Sequence, residues 1–158
     1  QAGDPAADFL LIDGYILPKD RSARGGDPMT IGDNHTYAVQ ALIDALTPRL
    51  PDLGCHLRVQ QPLAIPPRHE PEPDGAVVRG THRDYRGRKA SPADALCVFE
   101  VADSSLEYDR TAKLRIYAEA GIPLYVIVNL VQNVLEVYTE PQRGSGDYAT
   151  RHTLRGDE

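Results

Sequence analysis

The most constraining feature of this sequence is a nearly continuous apolar run over residues 96–102 that is interrupted only by Glu100. A run of this kind is typical of a strand that is buried on both faces of a sheet. A segment with helical spacing follows at residues 110–120, and a second apolar run follows at residues 124–128. The order strand, helix, strand predicts two parallel strands joined by a right-handed crossover.

The rest of the chain favours more strands and one more helix. Apolar residues on either side of Asp13-Gly14, a dipeptide suited to a type I′ turn, predict an N-terminal β-hairpin, and a loop rich in Gly, Asp and Arg follows over residues 18–28. Helical spacing after Asp33 or Asn34 predicts a helix that ends at Pro48. Shorter alternating or apolar runs predict strands at residues 57–65, 74–78, 134–139 and 148–154.

Together these elements predict a single α/β domain over residues 1–158, in which a mixed central sheet is flanked by helices. The hydrophobic fraction of 41% is enough for one core. The two cysteines do not suggest a disulfide framework, and Cys97 lies in an apolar run where a buried free thiol is expected. No cluster of Cys and His has the spacing of a zinc site.

Charge and apolar content restrict the partners and the location of the protein. The formal net charge of −6 is unusual for a protein that binds nucleic acid, although a basic strip can lie on an acidic body. No apolar run approaches the roughly 20 residues that span a bilayer, and residues 1–8 lack the pattern of a signal peptide. Because the chain does not begin with Met, we expect the natural chain to start earlier. We expect a soluble, cytoplasmic protein without a membrane partner.

Glu100 is the most informative single residue. A carboxylate within a buried strand costs free energy unless it is paired or binds a metal ion. Glu100 lies near the C-terminal end of its strand, and open α/β sheets gather their ligand sites outside those ends. The alternative is that this strand lies at an edge of the sheet, so that Glu100 turns to an Arg or to solvent.

Asp74 and Lys113 are the other two candidates for the same site. Asp74 opens the preceding strand, so its carboxylate and that of Glu100 could converge on one cation if the two strands are neighbours. Lys113 lies one helical turn after Asp109 and would neutralise the carboxylates, orient water or stabilise phosphate charge. The alternatives are that Asp74-Gly75 is only a turn, and that Lys113 is a solvated lysine paired with Asp109.

The order of these residues resembles a known superfamily. Pro73-Asp74, then Glu100 at a strand end and then a lysine resemble the PD-(D/E)XK nucleases, and more closely their bacterial family of putative restriction endonucleases, formerly a domain of unknown function. The segments that carry this likeness are Leu11-Ile12-Asp13-Gly14, the helix start at His35, residues 100–105, Tyr108-Asp109-Arg110, Lys113-Leu114 and residues 117–128. The likeness extends from Phe9 to about Tyr138 and is most specific over residues 98–128.

The resemblance implies a restriction-endonuclease-like fold and a DNA endonuclease that acts with Mg²⁺ or Mn²⁺. Asp74, Glu100 and the backbone carbonyl of Val101 would hold the metal ion, and water would attack a DNA phosphodiester with the metal ion as Lewis acid. Lys113 would assist this reaction. The resemblance also implies a bacterial protein and a homodimer, an arrangement that suits the cutting of two strands.

The chain departs from the pattern of this family at three places. A lysine two residues after Glu100 would lie at position 102, but this chain has Ala102, so Lys113 on the following helix is the candidate. The Glu that often precedes the Leu-Ile-Asp-Gly turn is replaced by Leu10, and the Trp of the fourth strand is missing because the chain has no Trp. The first departure bears on the mechanism, and the other two bear only on how typical this member is.

Four further residues are candidates of second rank. His35 opens the first helix, where it could act as a ligand or base or could simply bind the backbone. Glu72 could hold a second metal ion or face water, and Gln61 could point into the site or be solvated. We expect Asp109 to cap the second helix or to pair with Lys113 rather than to bind a metal ion.

A basic loop joins the two proposed catalytic strands. It contains one aromatic residue, Tyr85, one acidic residue, Asp84, and five basic residues: Arg79, Arg83, Arg86, Arg88 and Lys89. We expect this loop at the mouth of the site, where it could bind DNA phosphates and stack on bases. The alternative is a solvated, mobile loop.

Two other functions are open at this point. The chain could keep a nuclease fold as a catalytically inactive module that binds nucleic acid or protein, which its net acidity and the absence of a lysine at position 102 favour. It could also be a metal-dependent hydrolase that acts on another phosphate ester.

Overall fold

An antiparallel hairpin lies at the N-terminal end of the fold. The computed structural model describes residues 9–12, 15–18 and 32–155. Strand β1 (Phe9–Ile12) pairs with β2 (Tyr15–Pro18) in antiparallel register, which confirms the predicted hairpin. The Asp13-Gly14 turn and residues 19–28 of the predicted loop lie outside the described residues.

A mixed sheet of six strands forms the centre of the fold. Its strands are β3 (Cys55–Val59), β4 (Gly75–Arg79), β5 (Ala95–Ala102), β6 (Leu124–Asn129), β7 (Val134–Gln142) and β8 (Asp147–Arg155). They lie side by side in the order of the sequence. Strands β5 and β6 are parallel, and the other neighbouring pairs are antiparallel. The predicted α/β class with one parallel pair is therefore confirmed.

Two helices flank this sheet. Helix α1 spans Asp33–Leu46. Helix α2 is continuous through three segments, an α-helical start (Leu106–Tyr108), a π-helical turn (Asp109–Lys113) and an α-helical end (Leu114–Glu119). Because α2 begins before Asp109, the prediction that Asp109 caps it is wrong. Neither α1 nor α2 nor the short 3₁₀ turns of the described chain is long and apolar enough to cross a membrane.

The inner strands are buried on both faces, as the apolar runs predicted. On the face covered by α2, the buried residues include Ala76, Val78, Val98, Ala102, Tyr117, Tyr125 and Ile127. On the face covered by α1, the buried residues are Leu50, Cys55, Val77, Cys97 and Val126. Cys55 and Cys97 are free thiols.

The strand predicted at residues 57–65 is shorter and begins earlier than expected. Strand β3 ends at Val59, because Gln60 adopts a positive φ of 51° that turns the chain out of the ladder. The Gln60 N–H still donates to the Asp74 carbonyl at 3.2 Å, so the end of β3 stays beside the start of β4. Beyond this point Leu63 and Ile65 form only isolated bridges.

Two buried carboxylates lie in one row across the sheet on the α2 face. Glu100 of β5 is in register with Ile127 of β6, and Ile127 is in register with Glu136 of β7. At about 4.8 Å between strands, the two glutamates are roughly 10 Å apart. Glu100 is 2% exposed and Glu136 is fully buried, so each must find its own partners inside the fold.

Glu136 finds a complete set of partners. It accepts hydrogen bonds from Arg110 of α2, from the Tyr138 hydroxyl at 2.7 Å and from Asn129 Nδ2 at 3.0 Å. Burial opposes the ionisation of Glu136, but these hydrogen bonds outweigh it and lower the pKa of Glu136 to about 2. The Arg110–Glu136 pair therefore fastens α2 to β7.

Replacement of Glu136 by Gln should lower the free energy of unfolding by about 3 kcal/mol at pH 7, because Arg110 loses its buried partner. The folded-state pKa of Glu136 lies below its ordinary value of 4.5, so its stabilising effect is present above that pH and fades as the pH falls toward 2. Urea unfolding at pH 7, 5 and 3 measures this effect. Glu140→Gln, an exposed change on the same strand, is the control. A loss that does not shrink toward pH 3 would contradict this account of Glu136.

Candidate functional site

Asp74 and Glu100 lie at the same end of the β4–β5 pair. The register pairs Gly75 with Phe99, and one residue further it places Asp74 opposite Glu100. The Val101 N–H donates to Asp74 Oδ2 at 2.8 Å, which ties the carboxylate to β5. The two strands are neighbours, as the prediction of a shared site required.

Glu100 is held by two side chains of α2. The Tyr117 hydroxyl donates to Glu100 Oε1 at 2.7 Å, and Lys113 Nζ lies 3.1 Å from Oε2. Burial raises the pKa of Glu100 to about 8, although Lys113 acts in the opposite direction. Because β5 is an inner strand, the alternative in which Glu100 lies at a sheet edge is wrong.

Lys113 lies between two carboxylates and is only 8% exposed. Its Nζ is 3.1 Å from Glu100 Oε2 and 3.1 Å from Asp109 Oδ1. Burial lowers the pKa of Lys113, but the neighbouring carboxylates outweigh this effect and raise it well above its ordinary value. Lys113 is therefore an ammonium ion. The alternative of a solvated lysine is wrong, and the expected pairing with Asp109 is confirmed.

His35 of α1 orients the second oxygen of Asp74. His35 Nε2 lies 3.2 Å from Asp74 Oδ1, and the imidazole is 6% exposed. Burial opposes the ionisation of Asp74, but the contacts with His35 and the Val101 N–H lower its pKa overall. His35 Nδ1 has no hydrogen-bond partner within the described residues. The helix-start histidine thus contacts the site through Asp74, and the alternative in which it binds only the backbone is wrong.

Three carboxylates and one lysine form this cluster. Lys113 contacts the carboxylates of Glu100 and Asp109, whereas the carboxylate of Asp74 contacts His35. Residues 32–155 contain no group of three His, Cys, Asp or Glu side chains placed to hold a metal ion by themselves. Mg²⁺, however, commonly takes one or two carboxylates and fills its remaining positions with water and substrate oxygens. The donor set of Asp74 and Glu100 fits such an ion.

The backbone carbonyl of Val101 and the side chains of Gln61 and Glu72 are the other predicted site groups. The N–H and carbonyl of a strand residue point to the same side, so the Val101 carbonyl also points toward Asp74. Gln61 is exposed beyond the end of β3, and Glu72 is half-buried in the segment that leads to Asp74. A role for Gln61 or Glu72 in the site stays a prediction.

The basic loop lies at the other end of the sheet from the site. Asp74 precedes β4 and Glu100 lies near the end of β5, whereas the loop joins the end of β4 to the start of β5. Arg79 lies five residue steps along the strand from Asp74, which is about 17 Å. The prediction that the loop lies at the mouth of the site is therefore wrong. In an antiparallel pair, the connection joins the end of the first strand to the start of the second, and the site lies at the start of β4 and near the end of β5.

Part of the loop is tied into the protein. The Arg88 guanidinium lies 2.9 Å from Asp94 and 4.3 Å above the buried Tyr85 ring, and Lys89 pairs with Glu70. Arg79 Nε donates to the Ala93 carbonyl at 3.4 Å. Arg83 and Arg86 are exposed. These contacts, with a 3₁₀ turn at His82–Tyr85, fix the loop and leave only part of its charge for a partner.

The sequence patterns predict no site role for Tyr117 and no buried position for Glu136. Tyr117 lies four residues after Lys113 and so on the same helix face, which could have indicated that both side chains reach one partner. Glu136 interrupts alternating apolar residues of β7, as Glu100 interrupts those of β5, and this common pattern could have indicated both buried carboxylates.

Comparison with known proteins points to nucleases. Residues 26–158 match the model of the Uma2 family, which is described as "Putative restriction endonuclease". No curated protein is significantly similar to the chain in sequence. The match covers most of the chain and includes all the residues of the acidic cluster.

A solved structure shares the fold. It is the crystal structure of a putative nuclease belonging to DUF820 from Anabaena variabilis ATCC 29413, with a TM-score of 0.63, and the match covers 92% of this chain and 75% of that chain. The sequence identity is 13%, so this likeness bears on the fold alone.

Replacement of His35 should weaken the binding of a divalent ion without removing a ligand. If His35 orients Asp74, His35→Ala should lower the affinity for Mn²⁺ by about 10- to 100-fold, and His35→Gln, which keeps a donor, should restore most of it. Electron paramagnetic resonance of free Mn²⁺ measures this affinity without DNA. His152→Ala, an exposed change on β8, is the control. Equal losses for Ala and Gln would indicate that His35 binds the ion itself, and unchanged affinity would rule out both roles.

Proposed function

This chain belongs to the Uma2 family of putative restriction endonucleases, and on that premise we propose that its buried acidic site hydrolyses DNA phosphodiester bonds with a divalent metal ion. The observation that carries this proposal is the meeting of Asp74, Glu100 and Lys113 at one end of the β4–β5 pair. Two carboxylates of neighbouring strands can hold a metal ion, and an ammonium group can stabilise the charge that develops on a phosphate during metal-assisted hydrolysis.

In this proposal Asp74, Glu100 and the Val101 carbonyl hold Mg²⁺ or Mn²⁺. The hydrogen bond from the Val101 N–H and the contact with His35 fix the carboxylate of Asp74 in one orientation. The Tyr117 hydroxyl does the same for Glu100. When bound, the ion would act as a Lewis acid on the phosphate.

Lys113 would neutralise charge that develops on the phosphate during the reaction. Its ammonium group is already fixed between Glu100 and Asp109, so it needs little reorganisation to donate a hydrogen bond to a phosphate oxygen. Lys113 and the oriented carboxylates can also hold the attacking water in place. The apolar residues around α2 limit the access of bulk water, which strengthens these interactions.

The position of this lysine has a physical reason. Ala102, where the common pattern has its lysine, is fully buried in the core beneath α2. A long charged side chain at position 102 would have to displace that helix. Lys113 reaches Glu100 from α2 instead, so the positive charge comes from the helix and not from strand β5 itself.

Exposed basic residues remain candidates for contacts with DNA outside the cleavage site. Arg83 and Arg86 lie on the far end of the β4–β5 pair, so they would meet a phosphate about 17 Å or more from the scissile bond. Arg79, Arg88 and Lys89 would contribute less, because each is engaged within the protein. A homodimer would present two such sites to the two strands.

A second candidate function is a nuclease fold that binds nucleic acid or protein without cleaving it. The observation that favours it is that Glu100 already has partners on both oxygens, Tyr117 and Lys113. In that case Glu100→Ala should leave binding unaffected. A hydrolase of smaller phosphate esters would instead act on a simple phosphodiester, which a chromogenic substrate would reveal.

The purified chain should nick or cut DNA when Mg²⁺ or Mn²⁺ is present. Glu100→Ala and Lys113→Ala should each reduce cleavage of supercoiled plasmid by about 100-fold or more, because each removes a group that acts on the transition state. Lys89→Ala, an exposed lysine at the far end of the sheet, should retain activity. Failure of the wild-type chain to cut any form of DNA with either ion would contradict the proposed function, as would full activity of Lys113→Ala.

A further inference from the structure

Asp109 is a buried carboxylate that contacts Lys113 and to which the proposed chemistry gives no contact with the metal ion or the phosphate. It is 1% exposed, on the first turn of the π-helical segment of α2. The Ser105 hydroxyl donates to Asp109 Oδ2 at 2.7 Å, and the Tyr125 hydroxyl donates to the Asp109 carbonyl at 2.9 Å. The remaining oxygen, Oδ1, lies 3.1 Å from Lys113 Nζ. Both the side chain and the backbone of Asp109 are therefore anchored.

The π-helical turn keeps the side chains of Asp109, Lys113 and Tyr117 on the same face of α2. In an α-helix of 3.6 residues per turn, each step of four residues overshoots a full turn by about 40°, so Asp109, Lys113 and Tyr117 would spread over roughly 80°. A π-helical turn contains more residues, so a step of four falls short of a full turn. The short step from Asp109 to Lys113 offsets the overshoot from Lys113 to Tyr117. Both Lys113 and Tyr117 can then reach Glu100.

We propose that Asp109 is the positioning residue of Lys113, and that the π-helical turn between them holds the ammonium group against Glu100. A lysine on a helix has four rotatable bonds, and without a second anchor its ammonium group would lose much of its order. Asp109 supplies that anchor, because Ser105 and Tyr125 keep it in place. The catalytic consequence of this arrangement rests on the proposed function, whereas the anchoring itself does not.

The contacts of Asp109 favour positioning over metal binding. Asp109 Oδ2 accepts a hydrogen bond from Ser105, and Oδ1 lies at ion-pair distance from Lys113 but has no hydrogen-bond partner within the described residues. The oxygens of Asp74, in contrast, face Val101 and His35 on the other side of the cluster. A third ligand from Asp109 would have to give up Ser105 or Lys113.

The test is the set of variants Asp109→Asn, Lys113→Ala and the double variant. Asp109→Asn keeps the shape and an acceptor for Ser105 but loses the charge that holds Lys113. Its kcat for DNA cleavage should fall by about 10- to 100-fold with little change in KM, and Asp109→Glu should recover part of the loss. The double variant should be no slower than Lys113→Ala, because Asp109 acts through Lys113. Glu107→Gln, an exposed change on the same helix, is the control.

Two further measurements separate this inference from its rivals and from the proposed function. The affinity for Mn²⁺ should change by no more than about twofold in Asp109→Asn, whereas a ligand role predicts a loss of 10-fold or more. In urea unfolding, the effects of Asp109→Asn and Lys113→Ala should not be additive. The equilibrium constant of the double variant should differ by about tenfold from the value that the two single variants predict, whether or not the wild-type chain cleaves DNA. Ser105→Ala removes only the hydrogen bond to Asp109 and should therefore show a smaller loss of kcat than Asp109→Asn. This variant tests the anchoring of Asp109 if the double variant does not fold.

The outcomes are distinct. If the wild-type chain cleaves DNA and Asp109→Asn is as fast, the inference is overturned and the proposed function stands. If the wild-type chain cleaves nothing, the proposed function fails and the unfolding cycle alone decides the anchoring. An unfolding cycle with no coupling between Asp109 and Lys113 overturns the inference in every case.

Discussion

The burial of two carboxylates on one face of the sheet is the constraint on which the rest of this structure depends. Glu100 and Glu136 lie in one row beneath α2, and both are buried. An ionised carboxylate in such a place needs a cation or several donors. Helix α2 supplies both, with Arg110 for Glu136 and Lys113 for Glu100. Both contacts therefore join the helix to the sheet.

The two carboxylates differ in how completely they are satisfied. Glu136 accepts hydrogen bonds from a guanidinium, a hydroxyl and an amide, lies 3.4 Å from the guanidinium of Arg151, and has a pKa lowered to about 2. Glu100 shares one lysine with Asp109, and burial raises its pKa to about 8. Since the first is stable as an anion in the protein alone, it is a structural residue. Further positive charge, such as the proposed metal ion would supply, would stabilise the second as an anion.

The sequence predicted the elements that local patterns indicate. It did not predict the features that depend on contacts between distant segments of the chain. The apolar run around Glu100 and the order strand, helix, strand sufficed for the α/β class and the parallel pair. The pairing of Lys113 with Asp109 was also readable, because it depends only on helical spacing. The contact between His35 and Asp74 joins segments 39 residues apart, and no local pattern indicates it. The position of the basic loop depends on the antiparallel direction of β4 and β5, which no local pattern indicates.

The most direct test of this account compares Glu100→Gln with the wild-type chain in urea unfolding, with EDTA and with Mn²⁺. The folded-state pKa of Glu100 is raised from 4.5 to about 8, so its cost to stability is absent below pH 4.5 and grows as the pH rises toward 8. At pH 7 in EDTA the variant should therefore be more stable by about 1–3 kcal/mol. Mn²⁺ should stabilise the wild-type chain and not the variant. If Glu100→Gln is less stable in EDTA and Mn²⁺ changes neither protein, Glu100 is a structural residue like Glu136 and the account of the site is wrong.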